Sequence, residues 1–177
     1  ALYEGMTPLD ISQQKIPFTN QFSFITHAKD TAQLNYYLSL DVVRNNFPTD
    51  SKILLGKEET GEKGMKYMYV YVVKTLPGGE KASMDGESVE DAFQGNDEKG
   101  RPSIKMNMTS TGAKKWFELT KNNVNRPVAI ALDDIVYTAP NVVGPIEGGQ
   151  TEISGNFTTE EAQDLSNVLK SGKISAP

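Results

Sequence analysis

Residues 102–140 read PSIKMNMTSTGAKKWFELTKNNVNRPVAIALDDIVYTAP, and this stretch decides the fold. Ile104, Met106 and Met108 alternate with Ser103, Lys105 and Asn107, the period of a strand with one wet face. Ser110 or Thr111 can then cap a helix that carries Ala113, Trp116, Phe117 and Val124 on one side. Trp116 and Phe117 are the expected anchors of that helix on a sheet. Val128 to Leu132 is an unbroken apolar run, as in a strand covered on both faces. Asp133-Asp134 makes a tight turn, Ile135 to Ala139 returns, and Pro140 ends the strand.

Downstream, the Gly148-Gly149 turn leads to a strand at IEGGQTEIS and then to a well-marked helix. Thr158 and Glu161 form a T-x-x-E capping box, and Phe157 can staple to Ala162. Ala162, Leu165 and Leu169 make the buried stripe, and Gly172 supplies the left-handed stop. Upstream, Pro8 and Pro17 punctuate a poorly patterned start, with Phe18 to Ile25 as a short strand or irregular segment. Asp30 and Gln33 suggest a capping box for a helix over 31–45, with Leu34, Tyr37, Leu38 and Val42 on one face and Pro48 beyond its end. Residues 52–75 read as a hairpin turning at Gly61 and Gly64. Its second strand alternates Tyr67, Tyr69, Tyr71 and Val73 with Met68, Val70 and Val72, so it should be a covered central strand. The tyrosine row is either core or a binding face. Together these elements predict an α+β fold, a mostly antiparallel sheet with helices packed on one face as a two-layer sandwich.

Composition narrows the chemistry. The net charge is -5 and the pI about 5.0, with no basic run, which argues against nucleic acid. There is no cysteine, so thiolate, zinc-thiolate and disulfide chemistry are excluded. His27 is the lone histidine, and no nucleophile motif accompanies it. Phosphate-binding, nucleophile-elbow and zincin motifs are absent. Residues 77–101 read as turn-rich and acidic, a solvated charged face that does not match a calcium loop. No metal or cofactor is expected, and no catalytic residue. No apolar stretch reaches the length of a membrane span, and the start, Ala1-Leu2-Tyr3, lacks a signal-peptide pattern and suggests an excised piece. A chain of 177 residues suits one domain.

The segment from Gly100 to Pro177 resembles the SecD family, whose members are often fused to SecF. The family's glycine–alanine helix ending in an LT…N segment is matched by Gly112-Ala113, Leu119-Thr120 and Asn123. Its AIVLDG-V-SAP hairpin is matched by Ala129 to Pro140, with Asp133-Asp134 where the family has Asp-Gly. Its tail is matched by Gly148-Gly149, Ile153, Gly155, Phe157, Glu161-Ala162, Asp164-Leu165, Leu169 and Ser171 to Pro177. The resemblance assigns structural roles to Gly112, Trp116, Asp133, Pro140, Gly149, Gly155, Phe157, Glu161 and Gly172. It implies one head subdomain over 1–177, with a variable half (1–84) similar to Bacteroidetes-type fusions and a family-matching half (85–177). It further implies a periplasmic, non-enzymatic part of a proton-motive-force-driven export factor. The partners would be an unfolded preprotein, the Sec channel and SecF. Tyr67, Tyr69, Tyr71, Ile135 and Tyr137 are the candidate polypeptide contacts. A surface carbohydrate-active domain, which would need two carboxylates across a cleft, or a purely structural module are the other readings.

Overall fold

The computed structural model describes residues 2–5, 23–77, 81–155 and 157–171. Its central element is β6 (Pro102–Met108), flanked antiparallel by β5 (Val89–Asn96) and β9 (Gln150–Ser154). The alternation read from the sequence is realised: Ile104 and Met106 are fully buried, and Met108 nearly so. Burial of such side chains contributes about 1.5–3 kcal/mol each. They meet Trp116 and Leu119 of α3 (Ser110–Asn122) and Ala162 and Leu165 of α4 (Thr159–Ser171) in one core.

The cap of α3 lies one residue before Ser110, the earlier of the two positions expected from the sequence. Thr109 is extended, and its hydroxyl accepts the Gly112 N–H at 3.1 Å, so Thr109 is the N-cap instead of Ser110 or Thr111. Gly112 sits against the turn Gly86–Ser88, where a Cβ would lie 2.1 Å from the Ser88 carbonyl oxygen. Only glycine fits. The buried stripe is Gly112, Trp116, Leu119 and Thr120. Phe117 is not an anchor: it is half-buried, with Lys121 Nζ 5.5 Å from its ring. Val124 falls beyond the end of α3 and is exposed.

The LT…N residues have a clear task. Buried Thr120 donates to the Trp116 carbonyl oxygen and accepts the Ile146 N–H at 3.0 Å. Buried Asn123 donates to the Leu119 carbonyl oxygen. These bonds satisfy the helix end and pin the strap after Pro140 onto α3. Pro140 starts that strap, and its carbonyl accepts the Val128 N–H.

A second sheet contains β1 (Leu2–Gly5), β7 (Val128–Leu132), β8 (Ile135–Thr138), β3 (Ser51–Thr60), β4 (Lys66–Lys74) and β2 (Ser23–His27), in that order. β1 also pairs with the end of β4, so five strands close into a ring, and β2 extends along the remaining edge of β4. Leu54, Tyr71, Val73, Ala129, Ala131 and Val136 fill the inside. Two alanines on β7 suit so narrow a ring. The other face of β7, Val128 and Ile130, joins the helix-backed core. This two-sided burial is why the strand reads as an unbroken apolar run. The class is α+β and the pairing antiparallel apart from β3 with β8. The strands are shared between two sheets, a division that period alone does not reveal.

The first helix departs most from expectation. It splits into α1 (Thr31–Ser39) and α2 (Asp41–Arg44) at Leu40, whose backbone is extended. Asp30 makes no capping bond, and Gln33 instead donates to the Tyr37 hydroxyl. Neither helix buries a residue completely; Tyr37 and Val42 are 49% and 71% exposed. Residues 18–22 and Gly172 lie outside the described residues, while Ser23 to Ile25 belong to β2.

Candidate functional site: a cleft where the ring opens

β3 and β8 run parallel, but they pair only at Leu55 with Ile135 and Gly56 with Val136. Both strands continue past that point. β3 bulges there, because Leu55 faces Val70 while Glu58 faces Met68 on β4. β8 bulges too, because Val136 faces Ala131 while Thr138 faces Ile130 on β7, leaving Tyr137 as the extra residue. A bulge bends its strand and ends regular pairing. Two bulges side by side part the strands, and a cleft of about 480 Å³ opens between β3, β8 and the start of α4. It is lined by Gly56 to Thr60, Tyr69, Tyr71, Val136, Tyr137, Phe157, Glu161 and Leu165.

The tyrosines of β4 form a ladder, with ring centroids 5.6 Å apart for Tyr67 and Tyr69 and 6.2 Å for Tyr69 and Tyr71. These edge-on and tilted contacts hold each ring in place. Tyr71 is buried in the ring and packs over Gly56, where a Cβ would come within 3.1 Å of its edge. Burial, then the nearby Glu59 and Tyr69, push its hydroxyl up to about 12. Tyr67 donates to Glu59 at 2.8 Å, which raises its pKa above the ordinary tyrosine value. Across the cleft, Lys57 Nζ stands 5.4 Å from the ring of Tyr137. Glu58 pairs with Lys66 at 2.7 Å.

The α4 wall is built by the expected capping box. The Glu161 N–H donates to the Thr158 hydroxyl at 3.1 Å, and the Thr158 N–H donates to Glu161 Oε2 at 2.8 Å. Phe157 packs over Gly155, where a Cβ would stand 2.7 Å from the ring. The loop into β9 needs Gly149 for two reasons: its φ is +74°, and a Cβ would strike Ala113 at 2.7 Å. At the other end of the β7–β8 hairpin, Asp133 and Asp134 both take left-handed φ of 49° and 63°, and Asp134 bridges to Lys52 at 2.6 Å.

Of the candidate contacts, Tyr69, Tyr71 and Tyr137 line the cleft, together with Phe157 and Glu161, which the sequence marked only as structural. Tyr67 stands beside it through Glu59, and Ile135, 40% exposed, is not part of its lining. Gly56 and Lys57 were missed. The signal was there: a glycine inside LLGKEET marks a bulge or a close backbone approach. A second, narrower crevice of about 190 Å³ lies between Trp116, β7 and the strap. Among the described residues no group of three His, Asp or Glu gathers as a metal site, and no helix is long and apolar enough to cross a membrane.

Residues 60–176 match the family model described as SecDF, P1 head subdomain. The chain belongs to this family. Its match begins well upstream of Gly100 and takes in β4 and the tyrosine ladder. The chain is 37% identical over 155 residues to the protein translocase subunit SecD of Rhodothermus marinus, covering 86% of this chain and 24% of that protein. It is 40% identical over 94 residues to the SecDF subunit of Thermus thermophilus, covering 53% and 13%. The chain thus spans about a quarter or less of the length of these SecD and SecDF relatives. A solved structure of SecDF, described as a membrane component that enhances protein export, aligns with 30% identity and a TM-score of 0.48, over 83% of this chain and 58% of the other. Both relatives carry the name protein translocase subunit.

Proposed function

We propose that this P1 head acts outside the cytoplasm, as one unit of an inner-membrane export factor, by transient, non-enzymatic capture of an emerging unfolded polypeptide. The proton-motive force would drive that factor, and the Sec channel and SecF would be its partners. The observation that carries the reading is the cleft, which gathers Tyr69, Tyr137 and Phe157 beside a parted strand pair in a domain of this family. Aromatic rings with polar tips suit weak contact with many sequences. A carbohydrate-active reading has less support, because each acidic residue of the cleft is engaged: Glu58 with Lys66, Glu59 with Tyr67, and Glu161 with the α4 cap. Hydrolysis would require a free acid and base.

Titration of the labelled chain with an unfolded, export-competent polypeptide tests this by NMR. The expected result is a set of shifts confined to Tyr69, Tyr137 and Phe157 and their neighbours, weakened in Tyr69→Ser and Tyr137→Ser. A flat response at millimolar polypeptide would leave the head as a moving structural lever.

A further inference from the structure

We infer that the cleft takes its polypeptide by strand addition, pairing an extended segment with the free edge of β3 at Lys57–Thr60. This rests on the capture reading above and goes beyond it, because it adds main-chain pairing to the contact with the tyrosine rings.

β3 is a ten-residue strand, yet β8 covers its outer edge at only two residues. Among the described residues, no backbone group pairs with Lys57–Thr60 on the side that faces β8. On the other side, Glu58, Glu59 and Thr60 stay in register with Met68, Tyr67 and Lys66, so past the bulge the edge is held as a strand. A row of alternating N–H and C=O groups is matched by another polypeptide main chain. Phosphate-bearing polymers and anionic lipid surfaces lack that alternation, and Glu58, Glu59 and Glu161 disfavour their charge. The cleft between the two bulges gives the added strand somewhere to lie, with Tyr69 and Tyr137 on its walls.

The mode also explains the composition of the edge. Lys57, Glu58, Glu59 and Thr60 are all exposed, three of them charged. Charged side chains on an edge discourage two heads from pairing through identical strands. They leave room for weak, reversible pairing with a passing chain. Main-chain recognition is indifferent to sequence, which a factor serving many unfolded chains requires.

The test uses the isotope-labelled chain and a soluble dodecapeptide of alternating Val and Thr with a Lys at each end. Two further peptides carry N-methyl groups on alternate residues, one set for each edge of the strand. The parent should shift the Lys57–Thr60 resonances and slow hydrogen exchange at those of their amides that point away from β4. One N-methylated peptide should bind about tenfold more weakly, since it loses the N–H groups that bond to β3. Equal binding by all three peptides would overturn strand addition, and so would shifts confined to residues away from β3. Either result leaves capture standing, because a peptide is still bound. No binding by any peptide defeats capture and strand addition together.

Discussion

Helix α3 and the pair α1–α2 were both drawn as helices from the sequence, yet they differ in nearly every physical respect. α3 buries Trp116 and Leu119 against β6, caps at Thr109 and fits Gly112 against the Ser88 carbonyl. α1 has a much less one-sided apolar stripe, buries nothing completely, lacks a side-chain cap and breaks at Leu40. A helical stripe is worth what it packs against, and propensity alone does not hold a helix of nine residues.

That contrast can be broken most severely at Gly112. Gly112→Ala should cost about 3 kcal/mol or more, since the clash is with backbone that cannot move aside; urea unfolding measures it. Wild-type stability there would mean that α3 is not seated as described.

The next test concerns the ring. Tyr71 holds its proton up to about 12 in the folded state, above the ordinary value near 10 in the unfolded chain. Because the folded pKa is the higher, its contribution is complete below pH about 10 and is lost as pH rises toward 12. Denaturation midpoints should therefore fall through that window, and less so in Tyr71→Phe.

At α4, Thr158→Ala removes half of the capping box and should cost about 1 kcal/mol. The Asp133-Asp134 turn offers a smaller change of opposite sign. Asp134→Gly relieves a left-handed residue but gives up the exposed contact with Lys52, so a gain of about 0.5 kcal/mol is expected. Smallest of all, Val42→Ser on exposed α2 should stay within about 0.5 kcal/mol. A large loss there would show that α1–α2 is held by something the comparison with α3 leaves out.

The candidate site was legible in part. The alternation of Tyr67, Tyr69 and Tyr71 marked a strand of unusual faces, and the capping box around Glu161 stands as read. What could not be read was that Tyr137 and Phe157 would meet that ladder, since they come from β8 and the approach to α4, far along the chain. Nor could pattern tell which tyrosine faces the cleft and which is sealed inside. Phe117 failed as an anchor for a related reason: its neighbour Trp116 already occupied the buried side.

The sequence by itself determined most elements of the second half, the cap of α4 and the glycines that let them touch, but neither β5, which lies in a stretch that reads as acidic turns, nor the cap of α3. These are local matters of period, hydrogen bonding and steric room. Only the tertiary structure decided that the strands divide into two sheets, that β1 closes one of them, and that paired bulges open it again between β3 and β8. Strand pairing joins residues far apart in the chain, and its register depends on which surfaces find cover, which no single segment contains.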